Sequence, residues 1–121
     1  MFTVNGKKLE YDVFELEKAE LFEREMGAVV DKMNALQSSE GTITLAQSIR
    51  TQCEAIAECF DRMFGEGTAA KIFDGRVNLR LALKAYEELV SGINAEKRQI
   101  EKIARATASK YGMRQTKKCI S

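Results

Sequence analysis

Three long stretches of this chain place apolar residues three and four positions apart, and no proline interrupts any of them. That spacing lays one apolar stripe along a helix, whereas a strand would alternate. In the first stretch, from about Val13 to Gln37, the stripe is Phe22, Met26, Val29, Val30, Met33 and Leu36. Glu15, Glu17, Glu20 and Glu23 crowd its opening turns, where acids suit the positive end of a helix dipole. Ser38-Ser39-Glu40-Gly41 breaks the pattern. The second stretch runs from about Thr44, a good N-cap, to Phe64, with Leu45, Ile49, Cys53, Ile56, Phe60 and Met63 on one face. The third starts near Asn78, another cap, and carries Leu79, Leu83, Tyr86, Val90, Ile93 and Ile100, with Lys97 interrupting the stripe. At about 1.5 Å per residue this last helix outruns a small domain, so its distal half is expected to need a partner chain.

Ahead of the helices, residues 2–11 read as a β-hairpin. Asn5-Gly6 supplies the two left-handed residues of a type I′ turn, with β-formers on either side. A lone hairpin is marginal in water, so it must pack on something or pair with another chain. The expected fold is therefore mainly α: a three-helix domain over 1–111 with a long C-terminal helix and a short N-terminal β-hairpin. A basic flexible tail at 112–121 follows. At 121 residues the chain is one domain.

Composition removes several function classes. There is no histidine, which takes away the commonest general base and metal ligand together. Cys53, Cys59 and Cys119 form no CxxC pair, and the first two lie about 9 Å apart along one helix, too far for a disulfide. They read as small buried thiols and, for Cys119, a free thiol in a polar tail. No apolar run is long enough to cross a membrane, and the start lacks the pattern of a signal peptide, so a cytoplasmic protein is expected.

The stretch "FGEGTAAKIFDGRVNL", residues 64–79, raises the one question of chemistry. GEGTAA fits a dinucleotide-binding glycine pattern if Ala70 stands for the third glycine. That pattern needs a parallel strand before it, and here the preceding residues end a helix. The phosphate-loop pattern fails too, with Ala70 in place of its second glycine and Ile72 in place of its hydroxyl. Gly65, Gly67 and Gly75 read instead as structural turn residues. Gly65 is a left-handed C-cap, Thr68 opens a short helical turn through Phe73, and Asp74-Gly75 closes another turn. Asp61, Glu66 and Asp74 have no calcium-loop spacing. No catalytic residue, cofactor or metal is expected.

Charge is unevenly placed. Residues 1–40 hold nine acids and five bases, while 97–121 hold one acid and eight bases. Self-association through these ends is expected, with Glu15, Glu17, Glu20 and Glu23 of one copy facing Lys97, Arg98, Lys102 and Arg105 of the next. A head-to-tail contact of that kind gives rings or open spirals. Nucleic acid ranks lower as a partner, since the basic segment has one aromatic, Tyr111, and no binding motif.

The connector also carries a family resemblance. The run Phe60-Asp61-Arg62-Met63-Phe64, Gly65-Glu66-Gly67-Thr68, Ile72-Phe73-Asp74-Gly75 and Asn78-Leu79 resembles small proteins of phage and prophage tail-gene modules in Gram-positive bacteria, which look like tail assembly chaperones. The segments "VNGKKLEYDVFE" and "IRTQCEAI" are similar to that group as well, and the likeness covers most of residues 2–111. The end, "GMRQTKKCIS", matches nothing in it, which leaves a frameshifted extension open. The resemblance implies a non-enzymatic chaperone that binds the tape measure protein until tail tube subunits replace it, the tube protein being a further partner. Soft apolar side chains suit such a task, and Phe22, Met26, Met33, Met63 and Phe64 are the candidates, each with core packing as its ordinary alternative. A prophage-encoded binder of a host protein or nucleic acid, and a structural tail component, are the other readings.

Overall fold

The computed structural model describes residues 2–39 and 41–112. The strands β1 (Phe2–Val4) and β2 (Lys7–Leu9) precede the helices α1 (Leu16–Ser38), α2 (Leu45–Phe64), α3 (Thr68–Phe73) and α4 (Leu79–Thr107), and a π-helical turn, Ala108–Gly112, extends α4. The architecture is mainly α with an N-terminal hairpin and a long C-terminal helix. There are four helices among the described residues rather than three, because Thr68–Phe73 closes a full helical turn of its own. Apart from Gly112, the basic tail at 112–121, with Cys119, lies outside the described residues.

The hairpin forms where Asn5-Gly6 places it. Both residues have positive φ, 49° and 76°, and the strands pair Phe2 with Leu9, Thr3 with Lys8 and Val4 with Lys7. Phe2 and Val4 turn inward and are buried against α4. The turn is tied down by Asn5, whose backbone N–H donates to Glu88 Oε1 at 3.1 Å and whose Nδ2 donates to the Ile72 carbonyl at 3.4 Å. Packing on α4 and α3 answers the marginal stability of an isolated hairpin.

α1 begins at Leu16, three residues later than the apolar pattern suggests. The preceding Asp12 makes a turn: its carboxylate accepts from the Phe14 N–H at 3.1 Å, and its carbonyl from the Glu15 N–H at 3.2 Å. α2 starts with a capping box, in which Thr44 Oγ1 accepts from the Gln47 N–H and Gln47 Oε1 accepts from the Thr44 N–H. Asn78 caps α4 through the Leu81 N–H at 3.2 Å. α1 and α2 run antiparallel, cross-linked by Arg62–Glu25 at 3.4 Å and Lys32–Glu58 at 3.2 Å.

Aromatic rings thread the core. Tyr11 packs on Phe64 (5.2 Å between centroids), Phe64 on Phe60 (6.0 Å) and Phe60 edge-on to Phe73 (6.1 Å). The chain joins the segment before α1 to α2 and α3, and Ile56 and Leu89 fill the space beside it. On α4 the buried stripe is Ala82, Ala85, Leu89 and Ile93, one position earlier than Leu83, Tyr86 and Val90, the first two of them larger than the alanines they follow. Small residues at the centre of a helix contact let the axes approach, and the bulkier neighbours flank the seam.

The connector between α2 and α4 is a hydrogen-bonded unit. Asp61, on the last turn of α2, accepts from the Ala69 N–H at 2.8 Å and so caps α3, and Thr68 Oγ1 donates to the Gly65 carbonyl at 2.7 Å. Gly65 has φ 114° and ψ 152°, which is not the left-handed helical region its capping role suggests but an extended region open essentially to glycine alone. Gly67 (φ 91°) and Gly75 (φ 71°) also have positive φ.

Candidate interaction groove

Buried residues stop well short of the end of α1, the start of α2 and the end of α4. Between Val29 and Cys53 no described residue is buried, and none is buried past Ile93. α4 runs alongside α2 in the same direction: Asn78 and Ala82 at its start share a pocket with Cys53 and Ala57 in the middle of α2, and further on Val90 and Ile93 lie beside Phe22 and Met26 of α1, next to the Glu25–Arg62 link at the end of α2. Since α1 runs the opposite way, α4 leaves the body past the N-terminal end of α1. Its last 14 residues, 94–107, then reach about 21 Å beyond the last buried position.

Between α1 and the distal half of α4 lies a groove of about 410 Å³. Val13, Ala19, Phe22 and Met26 line one side and Val90, Ile93 and Ile100 the other, with Glu23, Asn94 and Lys97 completing it. Phe22 and Ile93 are buried at its base; Met26, Val90 and Ile100 are half-buried, and Glu23 and Lys97 are exposed. An apolar floor with charged groups at its rim suits an amphipathic helix laid along it. Each large apolar side chain that a partner helix buried there would gain about 1.5–3 kcal/mol. A larger hollow of about 480 Å³ beside β1 is ringed by Lys84, Glu87, Glu88 and Glu96 and offers no comparable apolar floor.

The structure splits the apolar candidates. Phe22 and Met26 come together in the groove. Met63 is buried in the core with its sulfur 3.8 Å from Cys59 Sγ, and Phe64 stacks between Tyr11 and Phe60. Met33 is half-buried further along α1, outside the groove. Val90, Ile93 and Ile100 complete the site; their spacing marks them as one face of a helix, but only the tertiary packing sets them across the groove from Met26.

Of the charged candidates, Glu15, Glu17, Glu20, Glu23, Lys97, Arg98, Lys102 and Arg105 are all exposed. Glu23 and Lys97 line the groove of a single chain. The acidic start of α1 and the basic reach of α4 therefore lie at the same end of the molecule.

Three further titratable groups have packing or bonding partners in the fold. Burial, with the Glu25 charge adding to it, pushes the Cys59 thiol up to about 12, which makes it a poor nucleophile. Asp61 is committed to capping α3, and Asp74 lies 3.9 Å from Lys7. Among the described residues no group of three or more His, Cys, Asp or Glu side chains is placed to hold a metal ion. No described helix is long and apolar enough to cross a membrane.

A family of unknown function, DUF6673, matches residues 5–120. The chain belongs to that family. The DUF6673 match takes in the hairpin turn, the capped connector, both walls of the groove and the whole of α4. No curated protein and no solved structure matches the chain.

Proposed function

We propose that this DUF6673 protein is a non-enzymatic tail assembly chaperone that holds a tape measure protein in the host cytoplasm until the tail tube encloses it. The observation that carries the reading is the groove between α1 and α4, whose half-buried Met26, Val90 and Ile100 have no covering element among the described residues. A tape measure protein presents long helical apolar stripes, and shielding them from water is a task for a groove with an apolar floor and a charged rim. The likeness of the 60–79 connector to tail-module proteins supports the same reading. Co-expression with the tape measure product of the same gene module, followed by pull-down, tests it. The parent chain captures the tape measure product, whereas Met26→Glu and Ile100→Glu variants that keep the parent's helix content lose it. A tape measure product that passes through unbound contradicts the proposal.

A second reading rests on the exposed Lys97, Arg98, Lys102 and Arg105 along α4, a basic stripe that suits nucleic acid or an acidic host protein. A mobility shift with duplex DNA whose midpoint falls steeply with salt favours it. Retention of the chain in purified virions favours a structural tail component instead.

A further inference from the structure

We infer that two copies of this chain pair reciprocally about a two-fold axis, the projecting end of α4 in each lying across the N-terminal end of α1 in the other. Three observations point to it. First, α4 past Asn94 has no buried residue, and beyond Ile100, which is half-buried against its own core, it leaves an apolar line, Ile103 and then Tyr111 on the π-helical turn, about half exposed. A rigid helix cannot fold back to cover that line against its own body. Second, the start of α1 offers a matching exposed pair, Phe14 and Leu16, at 53% and 74% exposure.

Third, the charges choose between the possible pairings. Residues 97–111 carry five bases and one acid, and residues 10–23 carry six acids and one base. Two α4 ends laid together, or two α1 ends, would set like charges side by side, whereas an α4 end against an α1 end is complementary. Because both segments lie at one end of each molecule, a copy that gives its α4 to a partner receives the partner's α4 in return. The contact is then isologous and closes at two copies, without rings or open spirals. The pairing concerns this chain alone and needs no tape measure protein, so it can fail while the proposed function stands.

Light scattering on the purified full chain across a range of concentrations tests the inference. A closed pair gives a plateau at twice 13.6 kDa, and it dissociates at about 0.5 M salt, where the Debye length shrinks to about 4 Å. Lys102→Glu with Arg105→Glu makes one variant, and Glu17→Lys with Glu20→Lys makes another. All four positions are exposed, and circular dichroism checks that each variant folds as the parent does. Each variant alone is a monomer at the concentration where the parent is paired. An equimolar mixture of the two recovers the dimer, because both reciprocal contacts become complementary again. A parent that stays monomeric, a mass that keeps growing with concentration, or a mixture that stays monomeric overturns the inference.

Discussion

The ring of Phe2 lies directly over the backbone of Gly92 on α4, where a Cβ would run into it. A helical glycine costs about 1 kcal/mol against alanine, so this position gives up helix propensity to let β1 pack close. Gly92→Ala should therefore destabilise the parent through overpacking of about 1–3 kcal/mol, partly offset by the propensity gain. In a Phe2→Ala background the same substitution should stabilise by up to about 1 kcal/mol. Urea melts of the four chains of this cycle check the change of sign, and an equal effect in both backgrounds would refute the contact.

The connector should be sensitive at its backbone as well as at its one carboxylate. Gly65→Ala forces a side chain into a region open essentially to glycine and should cost about 1–3 kcal/mol. Gly75→Ala, at φ 71°, should cost about 1 kcal/mol or more. Asp61→Ala leaves the N–H of buried Ala69 without its acceptor, a loss of about 1–3 kcal/mol that Asp61→Asn should largely avoid. Thermal melts that leave Asp61→Ala level with the parent would show that α3 is not held by this cap.

Much of the fold is readable from local chemistry. Asn5-Gly6, Thr44 and Asn78 act where their side chains and φ preferences dictate, and the 3–4 spacing locates three helices. What is not readable depends on distance in the chain. Asp61 caps a helix eight residues away, and nothing in a local pattern tells it from a solvated acid. Periodicity finds the apolar side of α4 but misses its seam by one position, so Leu83 and Val90 stand where Ala82 and Leu89 are buried. The groove is harder still. Phe22, Met26, Met63 and Phe64 look alike as sequence, and only the tertiary packing leaves Met26 at an opening while Met63 is sealed.

The pair Glu25–Arg62 should matter more than its neighbours. Glu25 is buried and has Arg62 at 3.4 Å, while Lys32–Glu58 is exposed on both sides. Arg62→Ala leaves a buried carboxylate without its cation and should cost about 1–3 kcal/mol, against about 0–1 kcal/mol for Lys32→Ala. Glu25→Gln in the Arg62→Ala background should recover part of the loss. Equal effects of the two single substitutions in denaturant melts would contradict the burial argument.

Alkaline pH should unfold the protein in a defined window. Burial holds Cys59, Tyr11 and Tyr86 at about 12 in the folded chain, against ordinary values of 9.0 for the thiol and 10.0 for the phenols. Above pH 9 the unfolded chain therefore binds fewer protons than the folded one, and stability falls as pH rises. The contribution of these groups is full below pH 9 and is lost between 9 and 12. Denaturant midpoints measured from pH 7 to 11 should be flat and then decline, and Cys59→Ala should make the decline above pH 9 shallower, with Cys53, also raised by burial, keeping part of it. A midpoint that rises above pH 9 would reverse the sign.

Site-specific photo-crosslinking measures the central claim, that the α1–α4 groove takes a partner's helix, most directly. A photoreactive residue at Met26 or at Ile100, co-expressed with the tape measure product, should crosslink to it. The same residue at Lys71 on α3, exposed but outside the groove, should not. Crosslinking from Lys71 with none from Met26 or Ile100 would place the partner elsewhere on the molecule and contradict the account.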